Sequence, residues 1–321
     1  MNTDQNKTNS KWTGWALAGI LALAGLGFTV RAEDTGKRAF ATGAAPQMTF
    51  PSPAEAATAL ALATKNTDEN ALTKVLGGEA KALLTCGDSE SDKAAMQQFY
   101  SKYQQMNRWA DMSDGSRVLY IGADNFAFPV PLAKNASGSW YFDAVAGAQE
   151  IRAREIGRNE LLTIDTLAAL ANAEQLYFDN SASGEYAQRI ISTPGKQDGL
   201  YWPVSGSLGD SPLAQLEEFP KSSLTSLSPD QPFVIDGYTL RILSAQGDEA
   251  TGGAQSYIVN GKMTGGFAIL ATPVKYGETG IMSFMLGREG FVYESDLGPD
   301  TARIAASLQE YNPNGNWSRI E

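Results

Sequence analysis

The sequence predicts an α+β protein in which a small N-terminal domain precedes a long helix packed on an antiparallel sheet. Three observations lead to this prediction. Residues 161–177 repeat apolar side chains at helical spacing, which is typical of a helix with one wide buried face. In residues 49–146, helical patterns come before strand patterns. After about residue 232, short segments alternate apolar and polar side chains between turn sequences, as antiparallel strands do.

Length and composition describe a globular chain with an acidic surface. The 321 residues suffice for two domains, and 43% of them are hydrophobic while 19% are charged. A net charge of −11 argues against nucleic acid and anionic membrane surfaces as partners, because both attract clustered Lys and Arg. The chain has no histidine, which excludes Ser-His-Asp and Cys-His catalysis and His-ligated zinc or haem. The composition therefore favours a non-catalytic role and indicates neither a metal nor a cofactor.

Residues 1–32 have the pattern of a signal peptide. Two lysines precede an apolar run over residues 15–30, and Val30 and Ala32 supply the aliphatic and small side chains of a cleavage site. An uncleaved anchor stays open as the alternative, because a short apolar run can just span a bilayer. Cleavage would give a periplasmic or secreted protein without a stable membrane span, and residues 33–48 would then form a flexible leader.

Residues 49–146 are expected to form the small N-terminal α+β domain. Ser52 and Glu55 form a capping box that begins the first helix. The third helix is predicted to extend to Trp109. Three strands are then predicted, over residues 117–122, 126–132 and 140–145. Pro129 and Pro131 in the middle run predict an edge strand or a bulge, because proline has no N–H for the ladder.

Residues 147–321 are expected to form the second domain, in which a central helix covers a sheet. The helix carries two apolar rows: Leu161, Ile164, Ala168 and Ala171, and beside them Leu167, Leu170, Ala173 and Tyr177. Asp236-Gly237 and Asn260-Gly261 are sequences that favour two-residue hairpin turns. The resulting antiparallel meander needs a cover on its inner face, which the central helix provides. Asp300 is predicted to cap a last helix.

Asp198, Tyr201 and Trp202 are the candidate binding residues. They lie in a loop after the central helix, and a Tyr-Trp pair beside a carboxylate suits sugar or peptide binding. Alternatively the aromatic side chains anchor the loop to the core, since Trp is mostly buried. No catalytic residue and no metal ligand is predicted, although paired carboxylates for glycoside hydrolysis need no fixed spacing in sequence. The single cysteine, Cys86, is expected to be a small buried thiol.

Six short motifs resemble one bacterial family. They are residues 156–160 (IGRNE), 192–196 (STPGK), 198–203 (DGLYWP), 259–263 (VNGKM), 265–268 (GGFA) and 296–300 (DLGPD). Together they resemble the secreted bacterial family catalogued as domain of unknown function twenty-nine fifty, over about residues 50–317. The resemblance implies no established activity and supplies no catalytic residues.

The C-terminal half also resembles the globular part of type IV pilins and pseudopilins. The resemblance rests on a helix that begins near residues 158–160 and on strand motifs at residues 238–243, 266–270 and 280–284. It implies a spine helix lying across an antiparallel sheet. The chain departs from that pattern, because it has a preceding domain and its apolar run lies before, not after, the predicted cleavage site.

These features predict an exported, non-catalytic binding or accessory protein of the cell envelope, with an envelope protein or glycan as its partner. Two alternatives stay open. One is a histidine-free hydrolase that uses Asp or Glu on envelope glycan, and the other is a pseudopilin-like secretion component. Two close carboxylates in a deep cleft would favour the hydrolase, whereas a shallow surface with aromatic side chains would favour binding.

Overall fold

The chain forms two compact units that both combine helices with antiparallel strands, so the α+β class is confirmed. The computed structural model describes residues 47–78, 88–203, 209–216 and 228–320. The predicted signal peptide, most of the predicted leader and Cys86 lie outside these residues. The boundary between the units falls between Arg154 and Glu155, within one 37-residue helix.

In its described residues, the first unit packs three complete helices with a small sheet. Its elements are α1 (Pro53–Lys65), α2 (Glu69–Leu76), α3 (Ser89–Gln105), β1 (Asn107–Asp111), β2 (Arg117–Ile121), β3 (Phe126–Ala127), β4 (Leu132–Lys134) and β5 (Trp140–Phe142). The strands pair in the order β1-β2-β4-β5, with β3 also on β2. Helix α1 begins as predicted, since the Ser52 hydroxyl oxygen accepts the Glu55 N–H at 3.2 Å.

Three predictions for the first unit are wrong in detail. The strand predicted over residues 140–145 ends at Phe142, because a helix begins at Ala144. Helix α3 ends at Gln105 and does not reach Trp109, because Met106 is extended and the residues after it pair with β2. The strand predicted over residues 126–132 is divided into β3 and β4. Pro129 and Pro131 lie in the gap, where their missing N–H groups would have interrupted the ladder.

The second unit is built around a six-stranded sheet. Its elements are α4 (Ala144–Asn180), which begins in the first unit, α5 (Pro212–Gln215), β6 (Phe233–Ile235), β7 (Tyr238–Leu243), β8 (Ala245–Gln246), β9 (Gln255–Ser256), β10 (Ile258–Val259), β11 (Lys262–Met263), β12 (Ala268–Pro273), β13 (Met282–Gly287), β14 (Val292–Asp296), α6 (Thr301–Ser307) and β15 (Ser318–Arg319). The sheet has the order β15-β14-β13-β12-β7-β6, and all its pairs are antiparallel.

Both predicted hairpin turns are present. Asp236-Gly237 joins β6 to β7 with φ values of 48° and 77°, and Asn260-Gly261 joins β10 to β11 with 53° and 79°. These left-handed values are those of a two-residue hairpin turn. The chain after the second turn does not form one continuous strand, because it is interrupted between β11 and β12. There, a β carbon on Gly265 would lie 3.1 Å from the Tyr257 α carbon, so a larger residue would crowd the backbone.

Helix α4 buries one of its two predicted apolar rows. Leu167 and Leu170 are fully buried in a cluster that includes Leu240, Ile269 and Phe284 of the sheet. The row that begins at Leu161 is buried only in part: Ile164 and Ala171 pack against the cluster, whereas Leu161 is 51% exposed and Ala168 is exposed as well. The helix instead turns Thr163 and Thr166 toward the interior, where both are buried. No helix in the described ranges is long and apolar enough to cross a membrane.

Polar side chains of α4 hold the loop that precedes β13. Asn159 Nδ2 donates to the Thr279 carbonyl at 3.0 Å. Glu160 Oε1 accepts the N–H groups of Ile281 and Met282 at 2.9 and 3.0 Å. This carboxylate therefore satisfies two backbone donors at the start of β13 and fixes the helix to the sheet.

Candidate functional site

The predicted binding residues Asp198, Tyr201 and Trp202 lie in one loop between α4 and α5. The carboxylate of Asp198 accepts the Thr193 N–H at 2.7 Å and the Thr193 hydroxyl at 2.8 Å. Arg189 Nε lies 4.0 Å from its Oδ2. Burial opposes ionisation of Asp198, but the hydrogen bonds from Thr193 outweigh it and keep the pKa of this carboxyl below its usual value. The carboxylate of Asp198 therefore stabilises the loop in which it lies.

The two aromatic residues of this loop are packed and hydrogen-bonded. Trp202 is 9% exposed, and its Nε1 donates to the Gly209 carbonyl at 2.8 Å. Tyr201 is half-buried, and its N–H donates to the Ile190 carbonyl at 2.9 Å. This arrangement is the one that the anchored-loop alternative describes. A ligand-binding role for the three residues stays a prediction.

A second candidate site is a cleft of about 270 Å³ between α6 and the six-stranded sheet. Its floor consists of alternate residues from the paired strands β7 and β12, namely Thr239, Arg241, Leu270 and Thr272. Alternate residues of a strand point to the same face of a sheet, so these four side chains share one face. Alanines of α6 form the opposite wall. The cleft is therefore mostly apolar, with polar groups on one side.

Arg241 is the single charged residue among the described residues that line the cleft. Its Nη2 donates to the carbonyl of Ala305 at 3.0 Å and to that of Leu308. It thus caps the C-terminal end of α6, where unpaired carbonyls and the helix dipole favour a cation. Burial lowers the pKa of the Arg241 guanidinium. No ion pair to Arg241 occurs within the described part of the chain.

Several hydrogen-bond donors in the cleft remain available to a ligand. Among the described residues, no protein partner exists for Nε or Nη1 of Arg241, or for the hydroxyls of Thr239 and Thr272. A partly buried positive charge is stabilised by a negative counter-charge and by charge-assisted hydrogen bonds. The arrangement therefore suits the binding of an anion with an apolar part.

The sequence did not reveal this cleft because Arg241 and Tyr238 lie on opposite faces of the sheet, as alternation along β7 requires. No element was predicted to cover the face that carries Arg241. The available signal was the last helix, which needs a surface for its alanines. That helix begins after Asp300 as predicted. Asp300 is the N-cap residue, but its carboxylate accepts a hydrogen bond from Arg303 at 2.8 Å and makes no capping bond to the backbone.

Glu174 on α4 is a buried carboxyl that sequence reasoning also missed. It is fully buried, and its Oε2 accepts the Ala187 N–H at 2.8 Å. Its Oε1 has no hydrogen-bond partner among the described residues. Burial raises the pKa of Glu174 well above its usual value, although the Ala187 bond opposes that effect. The spacing could have revealed it, since Glu174 lies one turn after Leu170 on the buried row.

Replacing Glu174 with glutamine should remove a pH-dependent loss of stability. The unfolded chain ionises this group near the ordinary pKa of 4.5, whereas the folded protein retains the proton to higher pH. The contribution of protonated Glu174 to the free energy of unfolding is therefore complete below pH 4.5. It is lost as pH rises through the raised pKa of the folded state. Urea unfolding of Glu174→Gln from about pH 4 to about pH 8 should show a shallower fall than wild type.

The matched control is Glu155→Gln, at an exposed position of the same helix. It should reproduce the wild-type pH profile. If the free energy of unfolding of Glu174→Gln fell with pH as steeply as that of wild type, Glu174 would not be retaining its proton in the folded state.

A pair of carboxylates lies elsewhere in the second unit. Burial, together with the nearby charge of Glu160, raises the pKa of Glu294 on β14. Glu294 is half-buried, and Glu160 is occupied by the backbone N–H groups described above. Acid-base hydrolysis requires two carboxyl groups near the scissile bond, one of which keeps a proton to donate. In the described ranges, no group of three or more Cys, His, Asp or Glu side chains is placed to hold a metal ion.

The fold and the cleft define an α+β protein with a partly buried guanidinium beneath a short helix. The family model described as "Protein of unknown function (DUF2950)" matches residues 47–320, and the chain belongs to this family. The family resemblance inferred from the six sequence motifs is thereby confirmed. No curated protein and no solved structure matches the chain. The resemblance to pilins and pseudopilins stays a prediction.

Proposed function

We propose that the protein is an exported, non-catalytic binding protein of the bacterial cell envelope that holds a small anionic ligand beside Arg241. The observation that carries the proposal is the state of this side chain. Its guanidinium is partly buried, it has unused donors, and it forms no ion pair within the described ranges. A bound anion would supply the missing counter-charge.

Export is supported by the sequence of residues 1–32. A short apolar run after two lysines, followed by small residues, is typical of a signal peptide. We propose a periplasmic or secreted location on this basis. An envelope protein or glycan that carries an acidic group would then be the natural source of the ligand.

Anion binding to the protein purified without residues 1–32 tests the proposal. Calorimetric titration with sodium hexanoate, at constant ionic strength in chloride, should show saturable binding to one site. Arg241→Met should weaken binding at least about tenfold, because it removes the charge that pairs with the ligand. Arg303→Met is the control, since Arg303 lies on the same helix α6 and its side chain is 75% exposed. It should bind as wild type does.

Arg241 also caps α6, so the folding of Arg241→Met must be checked by circular dichroism. Thr239→Val gives a second measurement that leaves the guanidinium in place, and it should weaken binding by removing one hydroxyl from the cleft floor. Absence of saturable binding by the wild-type protein would contradict the proposed function.

A histidine-free hydrolase acting on envelope glycan is the second candidate function, and the raised pKa of Glu294 beside Glu160 is what favours it. In such an enzyme Glu294 would donate the proton and a second carboxylate would act as base or nucleophile. Release of reducing ends from peptidoglycan by the wild-type protein, and not by Glu294→Gln, would favour hydrolysis over simple binding.

A further inference from the structure

We infer that the cleft beside Arg241 selects a monocarboxylate attached to a short aliphatic group, in preference to inorganic phosphate. The inference rests on the proposed function, because it specifies the ligand of the same cleft. Three features of the cleft lead to it: its charge, the use of the guanidinium nitrogens, and the character of its walls.

The charge of the cleft matches one negative charge. Arg241 is the sole charged residue among the described residues that line it. The chain as a whole carries a net charge of −11, so a ligand with additional negative charge would be repelled without gaining a second cation. A carboxylate carries one charge, whereas phosphate carries between one and two near neutral pH. The charge balance therefore favours the carboxylate.

The hydrogen bonds of Arg241 limit how it can hold an anion. Each side-by-side pair of N–H groups on a guanidinium includes a hydrogen of Nη2, either with Nη1 or with Nε. In this protein Nη2 is engaged by the carbonyls of Ala305 and Leu308. A ligand can therefore accept a hydrogen bond from Nε or from Nη1. It cannot accept the parallel pair of bonds that arginine forms in its strongest anion contacts.

The remaining donors suit a ligand with few oxygens. One oxygen of a carboxylate can accept a hydrogen bond from Arg241. The hydroxyls of Thr239 and Thr272, on the same sheet face, can donate to the other oxygen. A phosphate group would place further oxygens against apolar surface, where unsatisfied polar atoms are costly. The donor set therefore favours the carboxylate for a second, independent reason.

The walls of the cleft suit an aliphatic chain. Leu270 is 1% exposed at the floor, Val274 is 47% exposed at the rim, and alanines of α6 lie opposite. Burying one methylene group tightens binding by up to about fourfold. The volume of about 270 Å³ limits this gain to short chains. Two sources share this chemistry, a free aliphatic acid and the C-terminal end of a peptide with an apolar last residue.

Titration of the purified protein with a series of anions tests the inference. The series consists of acetate, butanoate, hexanoate, N-acetyl-alanyl-valine and inorganic phosphate at constant ionic strength. The affinity should increase from acetate to hexanoate by up to about fourfold per methylene, and phosphate should bind at least about tenfold more weakly than hexanoate. Tighter binding of the peptide than of hexanoate would identify a peptide end as the source; the reverse would identify a free acid.

Val274→Ser should flatten the dependence on chain length, because it replaces an apolar rim residue with a polar one. Val234→Ser is the matched control, since Val234 is 43% exposed on β6 and does not line the cleft. If all anions bind with similar affinity and Arg241→Met abolishes binding of each, the inference is overturned while the proposed function stands. If none of the anions binds, both are overturned.

Discussion

Replacing Leu167 or Leu170 with alanine is expected to lower the free energy of unfolding by about 2–5 kcal/mol. Both side chains are fully buried in the cluster between α4 and the sheet. Truncation removes their transfer free energy and leaves a cavity that the surrounding side chains fill only in part. Urea unfolding of the purified variants measures the loss.

Asp165→Ala is the control on the same helix. Asp165 is exposed, so its substitution should change the free energy of unfolding by no more than about 0.5 kcal/mol. The contrast between Asp165 and the leucines measures how one-sided the packing of α4 is. A loss for Asp165→Ala as large as that for Leu167→Ala would show that the helix is enclosed on both faces.

Gly280→Ala should be the second strongly destabilising change, by about 1–3 kcal/mol or more. A β carbon at Gly280 would overlap the hydroxyl and ring of Tyr238. Tyr238 is fully buried and donates a hydrogen bond to the Met282 carbonyl at 2.8 Å, so it cannot move aside without losing that bond. An unsatisfied buried group would add to the cost of overpacking.

Gly157→Ala is the matched control, and its effect should have the opposite sign. Gly157 lies within α4, and a β carbon there would meet nothing within 4 Å. Alanine should therefore stabilise the helix by up to about 1 kcal/mol. Thermal unfolding of both variants gives the comparison. Wild-type stability in Gly280→Ala would mean that the loop before β13 can shift at little cost in free energy, despite the hydrogen bonds from Asn159 and Glu160.

Local chemistry made much of the fold predictable. The turns at Asp236-Gly237 and Asn260-Gly261 need φ values that Gly, Asn and Asp adopt readily, so their sequence identifies them without knowledge of the rest of the chain. The capping box at Ser52 is equally local. Spacing also places Leu167 and Leu170 on one apolar row of α4, but it describes the row that begins at Leu161 equally well.

Features that depend on long-range packing were not predictable in the same way. Leu161 continues an apolar row, yet the direction in which α4 faces the sheet leaves it exposed. Trp109 lies in a strand because β2 is there to pair with it. In each case the local pattern permits two outcomes and a distant partner decides between them.

The candidate site shows the same division. Asp198, Tyr201 and Trp202 are close in space because they are close in sequence, but their hydrogen bonds are decided by the loop around them. Arg241 becomes part of a cleft only because α6 packs over β7 and β12. Nothing within the strand itself distinguishes Arg241 from a solvent-exposed arginine.

The edges of the six-stranded sheet limit self-association through backbone pairing. The outermost strands are β6, with three residues, and β15, with two, so each edge presents few unpaired N–H and carbonyl groups. At one edge, Arg319 of β15 stacks on the ring of Phe291, with 3.5 Å between its Cζ and the ring centroid, and places a charge on the edge strand itself. Short edge strands, and a charge on one of them, make the sheet a poor template for another chain. Together with a net charge of −11, these short edges disfavour association between copies of the chain.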